Sequence, residues 1–349
     1  MPVSIGRRGW IGVALETAVG SGGETPSKYI PYTSSTLHNV VEVLDDEAAK
    51  GIRERAWGSV AARTRGEGDV TMLLDVENIP YFLYPALGTG VTQGAGASLY
   101  QHIFTRKDSN PPTTLCMNIN DTVETRMFHY GVVNTLELTF SDGWIEATMN
   151  ILSQAPESGS GTKSITTENV MAFKDANVYF GDDIIEAEAK YQAGTGANKL
   201  TAFTLTINNN AEAQYESGSS SPDQISIGQF EVGGNYTLFF EDTDERSALE
   251  NQTPRAMLAV FQISTSERIL IEIPAFHLTE RSIDTAPAGF VTENPTWVGD
   301  YDSIYGSIIA KVYNATSAYT GCTESSSSSS SSFSSSSYSS SCSSSCSSS

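Results

Sequence analysis

The sequence is short of the side chains on which catalysis, metal binding and disulfide scaffolds rely. Its histidines are only His38, His102, His129 and His277. None lies four residues from another or beside a Cys or Glu at metal-ligand spacing. Each is expected to be a packed or surface imidazole. Cys116, Cys322, Cys342 and Cys346 are too few and too unevenly spaced to staple a chain of 349 residues, which favours a reducing compartment. Cys342 and Cys346 form a loose pair without the two further ligands that zinc needs. No Gly-x-Ser-x-Gly elbow occurs. Gly88, Gly90 and Gly94 carry one residue too many for a dinucleotide fingerprint and are expected in a flexible loop over residues 88–96. No catalytic, cofactor-binding or metal-site residue is assigned, no cofactor is expected, and the chain is not expected to be an enzyme.

Basic residues are also scarce. Twenty Lys and Arg stand against 41 Asp and Glu, a formal net charge of -21, and such a chain repels polyanions unless its cations cluster. Arg53, Arg55, Arg63 and Arg65 come closest, but they are interleaved with Glu54 and Glu67 and no aromatic ladder, so they are expected as solvated strand and loop charges. Tight binding of DNA or of an anionic membrane is not expected. No run reaches the roughly 18 apolar residues of a membrane span. Arg7 and Arg8 precede an apolar stretch, residues 9–19, that Glu16 interrupts, so neither a Sec nor a twin-arginine signal is expected and the chain should stay soluble in a cytoplasm. Without export, the sequons at Asn120, Asn235, Asn251 and Asn314 are turn and strand chemistry. The carboxylates at residues 45–47, 182–183 and 241–245 lack calcium-loop spacing and are expected in solvated turns.

What is present favours strands. Apolar residues make up 39% and charged residues 17% of the chain, with Gly, Ser, Thr and Asn filling much of the rest. Residues 1–30 should form an extended arm, because Gly20, Gly22, Gly23 and Pro26 break any periodicity. Strand patterns follow at residues 37–44, 60–74, 99–105, 113–118, 132–140 and 144–152. Within 132–140 the alternation predicts one buried and one wet face, and Ser141-Asp142-Gly143 suits a hairpin turn. Residues 76–87 are the helix candidate, kept short by Pro80 and Pro85. Residues 154–166 read as a linker, and a second strand series runs from 169 to 314. Trp10, Trp57, Trp144 and Trp297 are expected as core or interface anchors.

The two halves resemble each other. Gly68-Asp-Val-Thr-Met-Leu-Leu-Asp75 aligns with Gly234-Asn-Tyr-Thr-Leu-Phe-Phe-Glu241 at a constant offset of 166, which brings Leu83 onto Leu249. This division gives an arm at 1–30, a first β domain at 31–157, a second at 158–320 with a possible duplication, and a flexible Ser-rich tail at 321–349.

Several segments together resemble the tail tube proteins of long-tailed bacteriophages. They are Gly12-Val-Ala-Leu-Glu-Thr-Ala-Val-Gly20, then Gly131 to Phe140 with Gly143 to Asn150, then Leu205-Thr-Ile-Asn-Asn-Asn210, Ile273 to Glu280, and the closing strand to Asn314. The resemblance implies a mainly β fold, a sandwich or barrel-like tube domain with a short flanking helix, possibly in two tandem copies. It implies a structural subunit of a siphovirus-like virion, assembled in the host bacterial cytoplasm, that stacks as rings into the conduit for genome delivery. Its partners would be copies of itself, as trimers of pseudo-sixfold symmetry or hexamers, with a tape measure protein and terminator or distal tail proteins. DNA would pass through the lumen without specific binding, and no membrane would be involved. The arm at 1–30 and residues 88–96 would be ring-to-ring contacts. From the residues alone two other readings stay open: a capsid or decoration subunit, and a secreted carbohydrate-binding or adhesin β-sandwich.

Overall fold

Alternating apolar and polar residues build two β walls that face each other, and one long strand belongs to both. The computed structural model describes residues 8–21, 24–48, 55, 58–96, 98–110, 112–285, 289–319 and 323–324. The fold is mainly β, as the sequence predicts, with three α-helices among the described residues.

The first wall has eight antiparallel strands. In spatial order these are His38–Asp45, Ser59–Leu73, Glu146–Ser153, Thr125–Phe140, Leu200–Asn208, Glu231–Phe239, Thr292–Gly299 and the far end of Glu267–Asp284. The second wall takes the near end of Glu267–Asp284, flanked by Arg255–Ser264 and Ile309–Asn314, and extends to Ala176–Gly181 on one side and to Leu99–Arg106 and Gly88–Gly96 on the other. Leu136, Leu138, Phe140, Phe203, Tyr236 and Trp297 from the first wall meet Phe180, Phe261, Ile271 and Phe276 from the second in one buried cluster. Phe140 stands edge-on to Phe261, with ring centroids 6.2 Å apart.

The two halves join edge to edge, at one boundary in each wall. Thr125–Phe140 pairs with Leu200–Asn208, and Leu99–Arg106 pairs with Ile309–Asn314. The stretch read as a linker contributes Glu157–Ser158, which pairs with Met127 and Arg126.

Two expectations are corrected. Gly88–Gly96 is a strand, not a loop, because its backbone completes a ladder with Leu99–Arg106 that needs no large side chains, and the Thr89 hydroxyl bonds the Thr105 carbonyl at 2.7 Å. Within residues 1–30, Trp10–Leu15 is a strand buried along its whole length between Leu115–Asn120 and Lys28–Ile30. Six buried residues give that segment more apolar burial than an extended arm could retain in water.

The helices have local causes. Pro80–Leu87 starts later than expected, because Asp75 accepts the Glu77 and Asn78 amides in a turn and Pro80 then opens the helix; Gly88 ends it at φ 92. Ile184–Ala193 is capped by the Asp183 carboxylate on the Glu186 amide at 2.8 Å, while Glu186 returns a bond to the Asp182 amide at 2.8 Å. It covers the outer face of the second wall through Ile184 and Ala187 against Leu258, Val260 and Leu270. Asp244–Asn251 completes the set.

Candidate functional site

Among the described residues no helix packs on the outer face of the first wall, and the residues that alternate with its core side chains are half-buried or exposed. The registers arrange them in rows across the strands. One row runs Thr71, Thr148, Glu137, Thr206, Gly233, Val298, His277. The next runs Leu73, Glu146, Thr139, Thr204, Asn235, Thr296, Glu280, and a third runs Asp69, Asn150, Thr135, Asn208, Glu231.

Side chains within this face hold one another. The Thr71 and Thr148 hydroxyls lie 3.1 Å apart, Asn150 donates to Asp69 at 2.8 Å, and Thr237 donates to Asn294 at 2.6 Å. The charged groups are Asp69, Glu137, Glu146, Glu231 and Glu280, and none of the three rows contains Lys or Arg. His277 sits beside Asp300 at 2.8 Å. Residues 211–227 close one end of the face, where Ala213 and Ile225 pack on Val132 and Leu152. Across these three rows carboxylates and hydroxyls stand without Lys or Arg, while Arg65 and Arg63, farther along the same face of Ser59–Leu73, are engaged by Glu67 and Tyr215; the repulsion of the rows for a phosphate is screened over about 10 Å at physiological salt.

The remaining polar groups of interest serve the fold. Glu16 of the Glu-Thr-Ala-x-Gly turn is buried and accepts from the Tyr130 amide at 2.7 Å, the Gly20 amide at 2.9 Å and the Thr114 hydroxyl at 2.5 Å. Burial pushes its carboxyl above the usual range, and those three bonds oppose the shift. His102 is fully buried between Thr92 at 2.9 Å and Asn314 at 3.0 Å, and burial pushes its pKa down. His38 is exposed, and His129 and His277 are half-buried. Cys116 is buried, its thiol pushed up to about 12 by that burial. Cys322, Cys342, Cys346, Arg53 and Trp57 lie outside the described residues. Arg65 pairs with Glu67 at 2.7 Å and Arg63 stacks over Tyr215. Among the described residues no group of three or more metal-ligating side chains occurs, and no helix is long and apolar enough to cross a membrane.

Two carboxylate clusters read as solvated turns carry more structure than that. Asp183 caps a helix, and Glu245 is buried, bonding Arg255 at 2.9 Å and the Tyr236 hydroxyl at 2.7 Å. Asn209, within the Asn run the sequence singled out, donates at 2.9 Å to both the Ala86 and Val133 carbonyls and so ties the first helix to the first wall.

A family model described as phage tail tube protein matches residues 6–296. The chain belongs to the phage tail tube protein family. A search of curated proteins found no match. As a tail tube protein it is a structural component of the phage virion tail. Among the surfaces described, the polar face of the first wall is the broad one whose three rows carry carboxylates and hydroxyls without Lys or Arg.

Proposed function

We propose that this chain is the major tail tube subunit of a siphovirus-like phage, three copies closing into a ring of pseudo-sixfold symmetry and the rings stacking into the hollow conduit for the genome. The observation that carries the reading is the continuous eight-stranded wall, in whose three outer rows Thr, Asn and carboxylates predominate and Lys and Arg are absent. Turned inward, that face lets DNA slide past without adhering. Twenty-four strands about 4.8 Å apart and tilted by about 40° enclose a barrel of roughly 24 Å radius, and side chains leave a bore about 38 Å across. That bore is wider than a B-form duplex.

Matching contacts in the two halves support three chains rather than six. The Thr33 hydroxyl bonds the Thr71 carbonyl at 3.1 Å, and the Thr201 hydroxyl bonds the Thr237 carbonyl at 3.2 Å. Gly68 packs against the Thr36 carbonyl as Gly234 packs against that of Thr204. In each half the strand carrying that Gly leads into an eight-residue helix, Pro80–Leu87 or Asp244–Asn251. Each half then supplies four strands of the wall, which is the content of one sixth of the ring.

The tube would be assembled in the host cytoplasm around a tape measure protein and closed by terminator or distal tail proteins. Negative-stain microscopy of the purified chain tests the reading. Hollow tubes with threefold rings are expected; shells, or a monomer at every concentration and salt, would overturn it.

A further inference from the structure

We propose that the ring closes through one antiparallel strand pairing, in which the free edge of His38–Asp45 of one copy meets the far end of Glu267–Asp284 of the next, His38 opposite Ser282 and Val40 opposite Glu280. The inference rests on the tube reading and specifies its seam. Inside the chain the two halves already meet at such a seam, where Thr206 faces Glu137 and Asn208 faces Thr135.

The matched contacts transfer that register. Thr33 and Thr36 correspond to Thr201 and Thr204, so His38 and Val40 occupy the places of Thr206 and Asn208. On the other side, Asp69, Asn150 and Thr135 lie in one row as Asn235, Thr296 and Glu280 do. Thr71, Thr148 and Glu137 likewise correspond to Thr237, Asn294 and Ser282. Glu280 and Ser282 therefore stand where Thr135 and Glu137 stand. Faces agree as well: Leu37 is buried like Leu205, and each is flanked by residues of the outer face.

Both edges are open in the single chain. Among the described residues no strand pairs with the second edge of residues 38–44 or of residues 279–283. His38–Asp45 is also the most exposed long strand, solvated on both faces, and Val41 and Val43 are exposed apolar residues on it. An unpaired edge of that kind seeks another strand. Among the described residues the one strand edge of matching position and row chemistry is that of residues 279–283, and it lies at the opposite end of the wall, so a second copy must supply it.

The test is cross-linking in the full chain with Cys322, Cys342 and Cys346 replaced by Ser. Directly opposed positions have Cβ atoms about 4.5–5.5 Å apart, near disulfide reach, whereas diagonal ones lie about 7–8 Å apart. Under mild oxidation, tubes of the His38→Cys, Ser282→Cys chain should denature into covalent trimers, and those of the diagonal pair His38→Cys, Glu280→Cys should not. Tubes that form while the opposed pair stays monomeric overturn the seam and leave the tube intact. Failure of the parent chain to form tubes overturns the tube reading itself. Hydrogen exchange on the unmodified chain needs no variant: amides of residues 37–41 and 279–283 that face the seam should slow about tenfold or more on assembly. Rates unchanged by tube formation would place the seam elsewhere.

Discussion

Replacing Gly234 by Ala tests the packing of the first wall at its tightest point. A Cβ there would fall inside the contact distance of the Thr204 carbonyl oxygen, 2.9 Å from its carbon and 3.2 Å from Cζ2 of the fully buried Trp297. Nothing at that point is the flexible end of a side chain. To relieve the overlap Leu200–Asn208 and Glu231–Phe239 must separate locally, which gives up two or three ladder bonds at about 1 kcal/mol each. Displacing the indole from its rotamer adds about 1 kcal/mol. The sum, about 3–4 kcal/mol, is a large share of the roughly 5–15 kcal/mol that holds a domain folded. Urea unfolding of the soluble subunit, at concentrations below assembly, should show the lower midpoint; assembly would otherwise mask the loss. Gly68→Ala should behave alike, since its Cβ meets the Thr36 carbonyl oxygen at 2.5 Å and its φ is +152. Gly143→Ala, with nothing within 4 Å, is the control. A Gly234→Ala midpoint equal to that of Gly143→Ala would refute both the packing argument and the correspondence of the two glycines.

Three further outcomes are expected. Glu272 is 3% exposed beside Lys311, and burial pushes its carboxyl up to about 7 although the ammonium opposes the shift. A carboxyl raised above its unfolded value stabilises the fold in acid and loses that contribution as pH climbs from about 4.5 to about 7. Glu272→Gln should therefore gain on the parent by roughly 1–3 kcal/mol between pH 4.5 and 8, and a pH-independent difference in thermal stability would contradict it. Asn209→Ala strands two buried carbonyls and should cost about 2–4 kcal/mol in urea unfolding; a loss below about 0.5 kcal/mol would show that water replaces the carboxamide. Glu137→Lys with Glu146→Lys should leave tubes that retain short duplex DNA at 50 mM salt and release it at 200 mM, where parent tubes retain none. Equal retention by both would place this face outside the bore.

The sequence made the strands legible wherever one face is wet, because period-two alternation survives there. Residues 135–140 read as the structure has them, with Leu136, Leu138 and Phe140 inside and Thr135, Glu137 and Thr139 out, whereas Val133, grouped with the latter by alternation, is buried because the ladder shifts register between Asn150 and Ile151. Trp10–Leu15 lost that signal because both its faces are buried, so only its turn motif, anchored by Glu16, stood out. Gly88–Gly96 failed for the opposite reason: it pairs through backbone alone, and Gly content carries no record of pairing. Ile184–Ala193 left readable marks, Asp183 and Glu186 at capping-box spacing and Gly194 beyond the last turn, but the acidic pair drew the eye to solvation instead. Trp144 is 55% exposed, which removes the core half of its expected role and leaves the interface half. The polar face was the least legible feature, since a row across seven strands joins residues as distant as Thr71 and His277, and register is set only by the fold.

The edge-to-edge joining of the two halves would also account for one chain carrying both. Were the halves separate, Leu200–Asn208 and Thr125–Phe140 would each present an open edge, and a ring would need six independent associations. Each association costs an estimated 4–15 kcal/mol in lost translational and rotational freedom. Joining the halves through residues 154–166 makes every second seam intramolecular, and the shared core around Phe140, Phe203 and Phe261 fixes its register before assembly begins. Among the described strands of the first wall, the edges at residues 38–44 and 279–283 are then left for the proposed association. On that proposal a single kind of seam remains, with His38 opposite Ser282 and Val40 opposite Glu280, and it would give the ring one way to close.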